Sequence, residues 1–153
     1  MSGPRRLTPD DPAMGEVLAL MRAAFAGMEG RIDPPSSIHR LTLEDLRGGP
    51  GEVWAIGTPP VAAAVFTARD DALYLGKIAV AADQRGRGLS RALIDAAERR
   101  ARALGLPALT LQSRVELIEN HAVFAALGFA KTGETAHEGY DRATSLTFTK
   151  DLR

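Results

Sequence analysis

The sequence predicts an α/β (α+β) fold: a mixed, mostly antiparallel sheet of about seven strands, with about four helices on its faces. Three observations support this prediction. Residues 52–80 contain three apolar runs separated by short turns, which is typical of an antiparallel meander. Residues 89–104 have the spacing of an amphipathic helix. The elements follow the order β-α-α-β-β-β-α-β-α-β-β without a linker or an internal repeat, so residues 1–153 are expected to form one domain.

The first part of the chain is predicted to contain a strand, two helices and a polar loop. In chain order they are a strand at 5–8, a helix at about 12–28, the loop at 29–40 and a short helix that stops at 48–50. Asp11 followed by Pro12 is typical of a helix start, with an N-cap and then proline. Thr42 and Asp45 have the spacing of a capping box. Pro34-Pro35 stiffens the loop, which is interpreted either as ligand-contacting or as a solvated connector.

The rest of the chain is predicted to alternate strands with two helices. Strands are expected at 52–56, 61–68, 73–80, 109–112, 129–134 and 144–150, and helices at 89–104 and 120–127. Gly76, inside an apolar strand, indicates a bulge or a close backbone approach. The buried stripe of the longer helix is predicted to consist of Leu89, Leu93, Ala96, Ala97 and Leu104. Asn120 is interpreted as the N-cap of the last helix.

The composition excludes several classes of protein and site. Lys plus Arg and Asp plus Glu both number 19, so bulk electrostatic binding to nucleic acid or to an anionic membrane is not expected. The chain has no cysteine, which excludes disulfides, thiolate metal sites and a cysteine nucleophile. The histidines do not share a ligand spacing, so no metal is expected. Because no apolar run has the length of a signal peptide or a membrane span, the protein is expected to be cytoplasmic, without a membrane partner.

The residues from Arg85 to Ser90 join a strand to a helix through a glycine-rich turn, and this predicts an anion site. The first N–H groups of a helix have no partner within it and attract negative charge. A P-loop would need Lys and then Ser or Thr after its last glycine, but Gly88 is followed by Leu89. A dinucleotide-binding fingerprint would need a third glycine where Arg91 stands. Neither motif fits the turn.

The turn instead resembles the acyl-CoA signature of the GNAT superfamily of N-acetyltransferases, Arg/Gln-x-x-Gly-x-Gly/Ala. Arg85-Gly86-Arg87-Gly88-Leu89-Ser90 matches this signature, with serine in the last place. Ile78-Ala79-Val80 is similar to the end of the family's fourth strand. The segment from Asn120 to Phe129 looks like the family's Asn…Tyr…Leu-Gly-Phe helix. The resemblance covers residues 50–153 well, whereas the earlier part of the chain matches only in the order of its elements.

The resemblance implies that the protein binds acetyl-CoA and no metal. The implied cofactor contacts are Ile78, Ala79, Val80, Arg85, Gly86, Arg87, Gly88, Leu89, Ser90, Asn120 and Phe124. The pyrophosphate is expected at the turn. The pantetheine arm is expected to lie as a pseudo-strand along residues 78–80, which splay from the strand at 111–113. Asn120 resembles the family's CoA-facing asparagine, although a plain N-cap needs no ligand. The resemblance is also compatible with a homodimer.

The reaction implied by the resemblance is acyl transfer from a CoA thioester to an amine by direct attack. Such a reaction needs a base, a group that binds the carbonyl oxygen and an acid. A backbone N–H of Ile78 or Ala79 is the candidate for the carbonyl oxygen. Many relatives have a tyrosine as the acid at the position of Phe124, and a phenyl ring cannot donate a proton. The candidate bases are Glu29, His39 and Glu116.

The acceptor is expected to bind between the 29–40 loop and the loop at 135–142, both of which have mixed charge. The acidic residues are Glu29, Asp33 and Asp141, and the basic residues are Arg31, Arg40 and Arg142. These charges do not indicate whether the acceptor is a small amine, an amino acid or a peptide. Two further hypotheses are a non-catalytic acyl-CoA sensor, which Phe124 suggests, and a structural or partner-binding domain without CoA.

Overall fold

A computed structural model of the protein describes residues 3–153, which form one seven-stranded sheet flanked by helices. The strands are β1 (Arg5–Arg6), β2 (Glu52–Ile56), β3 (Ala62–Ala68), β4 (Leu73–Val80), β5 (Ala108–Arg114), β6 (Ala130–Thr135) and β7 (Ser145–Asp151). Their order in the sheet is β1-β2-β3-β4-β5-β7-β6. Within the described residues, β4 and β5 are the parallel pair, and the other neighbours are antiparallel. The predicted fold class and the order of the elements are confirmed.

The helices lie in the predicted places. They are α1 (Met14–Ala26), α2 (Leu43–Gly48), α3 (Leu89–Ala103) and α4 (Ile118–Ala126), with two 3-10 turns at Ser37–Arg40 and Ala82–Gln84. The capping box of α2 is confirmed. The Thr42 hydroxyl accepts from the Asp45 N–H at 3.2 Å, and the Asp45 carboxylate accepts from the Thr42 N–H at 2.9 Å.

Three local predictions about the helices are wrong. The helix α1 begins at Met14, because the Asp11 carboxylate accepts from the Ala13 N–H and makes a turn before the helix starts. Asn120 is not an N-cap: α4 starts two residues earlier, after the buried Leu117, whose carbonyl accepts from the Asn120 N–H. Leu104 follows the last residue of α3 and is 41% exposed, since the chain turns away from the sheet at Gly105.

The sheet separates two hydrophobic cores, one on each face. On the first face, α3 packs its buried side chains Leu93 and Ile94 against alternate residues of β3 and β4. On the second face, α1 packs Val17 and Met21 against the residues in between. Ala63 of β3 belongs to the second core, because neighbouring residues of a strand point to opposite faces.

A β-bulge interrupts the pairing of β3 with β4. Gly76 pairs with Val65 and Ala79 with Ala63, so two residues of β4, Lys77 and Ile78, oppose one residue of β3. Lys77 has a φ of 54°, a left-handed conformation that is unfavourable for a residue with a side chain. The predicted irregularity near Gly76 is therefore confirmed. It reverses the alternation, so that Leu75 before the bulge and Ile78 within it pack on the same α3 side.

The parallel strands β4 and β5 are paired only at their first residues. Leu73 pairs with Leu109 and Tyr74 with Thr110, after which the ladder stops, although both strands continue. The edges of β4 and β5 that face each other beyond these pairs therefore have no ladder partner in the described chain. This splayed gap is the one that the resemblance predicted, and it forms the centre of the candidate site.

We expect Leu93→Ala to destabilise the protein much more than Leu104→Ala. Leu93 is fully buried between α3 and the sheet, so its truncation leaves a cavity and should cost about 2–5 kcal/mol of unfolding free energy. Leu104 is a matched leucine at the exposed end of the same helix and should cost less than about 0.5 kcal/mol. Urea denaturation of both variants measures the difference. Equal losses would contradict the assignment of the buried stripe.

Candidate active site

The turn before α3 presents backbone donors without partners. Gly88 is the N-cap and has a φ of 75°, and Gly86 has a φ of 80°, a region that glycine enters at little cost. Within residues 3–153, no acceptor faces the N–H groups of Gly88, Leu89 and Ser90. A Cβ at Gly86 or Gly88 would meet no protein atom within 4 Å, so within the protein the turn needs glycine for its conformation rather than for space. The geometry fits the predicted anion site.

Two arginines surround these donors. Arg85 and Arg87 are exposed, and neither forms an ion pair within the described part of the chain. Unpaired guanidinium groups beside free N–H groups favour an anion with several oxygens, such as a phosphate. This arrangement can hold the phosphate end of a CoA-type ligand.

A cavity of about 750 Å³ occupies the splayed gap between β4 and β5. Its wall includes Ile78 of β4, Ser113 of β5 and Phe124 of α4. Other parts of the wall come from the end of α1, from the loop at 36–41 and from the residues around His137. The volume is in the range that binds small ligands. The cavity therefore joins the two strand edges to both loops that were predicted to contact the acceptor.

The residues implied in CoA binding occupy two parts of the structure. Ile78, Asn120 and Phe124 line the cavity, and Arg85 to Ser90 form the turn before α3. Ala79 is 2% exposed and faces the core under α1. Its backbone, rather than its side chain, is therefore the group that a ligand along β4 could reach.

Phe124 belongs to an aromatic cluster on the wall of the cavity. Its ring centre lies 6.1 Å from that of Phe129 and 6.0 Å from that of Phe148. The packing fixes an apolar ring where many relatives have a tyrosine. This position of the wall therefore offers no hydroxyl.

None of the three candidate bases lines the cavity. Glu29 and His39 line a separate, smaller depression beside α1. Glu116 accepts a hydrogen bond from the Asp33 N–H at 3.1 Å. The sequence does not show which way each of these side chains points.

Sequence reasoning did not single out His137 as a base, although it lines the cavity. Its Nδ1 lies within hydrogen-bond distance of the buried Thr144 hydroxyl, which also approaches the Thr135 carbonyl at 3.4 Å. A neutral ring that donates from Nδ1 to the Thr144 oxygen has its lone pair on Nε2. Burial and the positive charge of Arg114 lower the pKa of His137, so the ring is neutral at neutral pH. No local pattern around His137 indicates this role.

Ser113 is a second residue that the sequence did not identify. It is 7% exposed, lines the cavity, and its Oγ has no hydrogen-bond partner among residues 3–153. It follows the buried Leu109 and Leu111 at a spacing of two residues, so all three side chains lie on one face of the strand. This is the face of the sheet on which Phe124 packs. A buried hydroxyl without a partner beside a cavity is a candidate for contact with a ligand.

The two predicted acceptor loops are bonded to each other. Asp33 accepts from the Tyr140 hydroxyl at 2.6 Å and from the Arg142 guanidinium at 3.2 Å. The hydrogen bond to Asp33 raises the pKa of Tyr140. Arg114 donates to the Pro34 carbonyl at 2.7 Å, and its partial burial lowers the pKa of its guanidinium. Arg31 pairs with Glu119 of α4 at 2.7 Å. These contacts hold the 29–40 loop against one end of the cavity.

Residues 3–153 contain no group of three or more His, Asp or Glu side chains placed to bind a metal. No helix among them is long and apolar enough to cross a membrane.

Comparison with known proteins decides the family. The family model described as the acetyltransferase (GNAT) family matches residues 17–129. The chain belongs to the GNAT family of acetyltransferases. Acyl transfer from acetyl-CoA is typical of this family, and the glycine turn, the splayed strands and α4 all lie in or between the matched elements. No curated protein matches the sequence significantly.

Solved structures of GNAT proteins share the fold at low sequence identity. An acetyltransferase of the GNAT family from Listeria monocytogenes 4b F2365 has a TM-score of 0.73 and 17% identity, covering 99% of both chains. The ribosomal-protein-S18-alanine N-acetyltransferase from Escherichia coli has a TM-score of 0.66 and 21% identity over 99% of this chain and 94% of its own. Aminoglycoside 6'-acetyltransferase type Ii has a TM-score of 0.75 and 15% identity over 98% and 97%.

We expect the pKa of His137 to lie below 6.5, and Arg114→Gln to raise it. Removing the nearby positive charge makes protonation of the ring less unfavourable, so the titration should move to higher pH. NMR titration of the histidine side chains measures both values. Arg31→Gln is the control, because it removes a cation that pairs with Glu119 and does not act on the pKa of His137. A His137 pKa that is unchanged in Arg114→Gln would contradict the electrostatic argument.

Proposed function

We propose that this GNAT protein is an N-acetyltransferase that moves the acetyl group of acetyl-CoA to a primary amine by direct attack in a ternary complex. The observation that carries the proposal is the combination of two sets of free backbone groups. One set is at the start of α3, and the other lies along the unpaired edges of β4 and β5. Together they match a ligand with phosphates at one end and an extended amide-containing arm at the other.

The chain supplies both parts of this binding site. The N–H groups of Gly88 to Ser90, with Arg85 and Arg87, would hold the pyrophosphate. The free edge of β4 at Ile78 to Val80 would pair with the pantetheine arm. Asn120 lines the cavity from α4 and is not needed to cap the helix, which favours a ligand contact for its side chain. The residues present therefore fit the acyl donor that is typical of the family.

The bulge indicates how the thioester carbonyl would be held. Ile78 lies in the bulge, where β3 offers one residue against two of β4, so the ladder with β3 is broken at this position. Its N–H is a better candidate than that of Ala79, which is in register with Ala63. A fixed backbone donor of this kind stabilises the negative charge that develops on the oxygen during acyl transfer.

His137 is our proposed base. Its neutral ring, with the proton held on Nδ1 by Thr144, offers Nε2 to take a proton from the amine. Phe124 cannot serve as the acid. The Ser113 hydroxyl lies on the same wall without a partner and could donate a hydrogen bond to the leaving thiolate. The thiol of CoA is acidic enough that such a donor assists the reaction without being essential.

We expect Gly88→Val to abolish binding of acetyl-CoA while the protein remains folded. Valine is strained at a φ of 75°, so the free N–H groups at the start of α3 should lose their alignment. Gly105→Val is the matched control, because Gly105 has a φ of 72° and equally open surroundings at the other end of α3. Both variants should lose stability, and calorimetry should show lost binding only for Gly88→Val. Wild-type protein that fails to bind acetyl-CoA at high micromolar concentration would overturn the proposal.

The second candidate function is a non-catalytic acyl-CoA sensor, which the hydroxyl-free Phe124 favours. If the protein is an enzyme, free thiol should appear when acetyl-CoA is mixed with a suitable amine, and His137→Ala should lower kcat by about 10²-fold. Tight binding of acetyl-CoA without thiol release over a broad panel of amines would instead favour the sensor.

A further inference from the structure

We infer that the amine acceptor carries an oxyanion, a carboxylate or a phosphate-type group, beside an apolar body, and that Arg40 and Lys77 bind this oxyanion. The inference rests on the proposed acetyl transfer and names the class of its acceptor. It follows from asking which charged residues of the acceptor loops reach the cavity and which are already neutralised.

Most of the charged side chains of the two acceptor loops are paired with other residues or do not line the cavity. The Asp33 carboxylate accepts hydrogen bonds from Tyr140 and Arg142, and Arg31 forms an ion pair with Glu119. Asp141 is not part of the cavity wall, and Glu29 lines the separate depression. The acidic residues of the two acceptor loops, Glu29, Asp33 and Asp141, therefore do not line the cavity.

The charged residues that do line the cavity are mostly positive. They are Arg40, Lys77, Arg114 and Asp45. The Arg114 guanidinium donates hydrogen bonds to the carbonyls of Pro34 and Pro35. Asp45 accepts from the Thr42 N–H in the capping box. In contrast, Arg40 and Lys77 have exposed side chains with no ion pair or hydrogen bond within residues 3–153. These two cations are therefore available to a ligand.

These two cations lie on the opposite face of the sheet from the anion site of the acyl donor. The hydrogen bonds with Thr42 lower the pKa of the Asp45 carboxyl group of α2, and the charge of Lys77, which lies nearby, lowers it further. Arg40 ends the 3-10 turn whose Ile38 packs in the core under α1. The N-terminus of α3 belongs to the other face, where Leu89 packs. Since CoA phosphates would be held at α3, Arg40 and Lys77 are left for the acceptor.

The bulge explains why Lys77 is placed at this point. Its left-handed backbone lies in the break of the ladder, directly before Ile78, whose N–H is our candidate for the carbonyl oxygen. A cation on the residue next to the reacting carbonyl is well placed to hold an acceptor by a group close to its amine. In an α-amino acid, the carboxylate is bonded to the carbon that bears the amine.

The neighbouring wall is apolar. The apolar residues that line the cavity on the same side as Arg40 are Phe25 and Met28, near the end of α1, and Ile32, Ile38 and Leu41. An acceptor with a hydrophobic side chain would bury it against these residues and place its oxyanion near Arg40 and Lys77. The class that combines these features is an amino acid, or an aminophosphonate, with an apolar side chain.

The test compares acceptors that differ only in the anionic group. L-leucine and L-phenylalanine are each assayed beside the matching amide, the decarboxylated amine and the aminophosphonate, with acetyl-CoA and detection of free thiol. We expect kcat/KM to be at least about tenfold higher for an oxyanion-bearing acceptor than for its amide or plain amine. The ratio of carboxylate to phosphonate turnover identifies which oxyanion the site prefers.

Two variants connect this preference to the named residues. Arg40→Gln and Lys77→Met should each raise KM for the preferred acceptor about tenfold, with little change in KM for acetyl-CoA or in turnover of the amide. Arg153→Gln and Lys131→Met are the controls, since both cations are paired elsewhere, with Asp151 and Glu134. They should leave the acceptor preference unchanged.

The outcomes separate this inference from the proposed function. Turnover of the amide or plain amine equal to or better than that of the oxyanion-bearing acceptors would overturn the inference and leave acetyl transfer standing. The inference also fails if every acceptor of the panel is inert while acetyl-CoA binds. It fails, too, if Arg40→Gln and Lys77→Met keep the wild-type preference. Absence of acetyl-CoA binding would overturn the proposed function itself.

Discussion

The break in strand β4 is the constraint on which the rest of the site depends. Two residues, Lys77 and Ile78, oppose one residue of β3, and the ladder to β5 stops after Tyr74. A regular, fully paired β4 would leave no backbone group free at the centre of the sheet and no gap for a ligand. The bulge reverses the side-chain alternation, and the end of pairing with β5 leaves the free strand edges beside the cavity. The cost of the bulge is a left-handed lysine, which the packing of β3 and β4 on both faces must offset.

The two faces of the sheet present different groups on either side of this break. Under α3, the glycine turn gathers free N–H groups and arginines, which suits the phosphates of the acyl donor. Under α1, the cavity presents Arg40, Lys77 and an apolar wall, which suits a different molecule. The two ligands would meet where β4 and β5 separate. A single irregular strand would therefore determine both where each proposed ligand binds and where they meet.

The features that the sequence predicts well are those that depend on neighbouring residues. The glycine turn, the capping box at Thr42 and the irregularity near Gly76 are local patterns, and the structure has all three. The candidate bases Glu29, His39 and Glu116 do not line the cavity, because the direction of a side chain in a loop depends on distant partners. Glu116 is directed to the backbone of Asp33, and His137 depends on Thr144 and Arg114. Asn120 shows the same limit. The helix α4 starts directly after the buried Leu117, two residues before the start predicted from the sequence.

The unpaired edges of β4 and β5 have a consequence for the amount of folded protein in a cell. These edges have no ladder partner in the described chain beyond Tyr74, and a ligand lying along them would complete the ladder. Ligand that binds only the folded state adds RT ln(1 + [L]/Kd) to its stability, about 2.7 kcal/mol at a hundredfold excess over Kd. A chain of this size has a small margin against unfolding and proteolysis. Its lifetime would therefore depend on the supply of such a ligand, which would protect the folded state against unfolding and proteolysis.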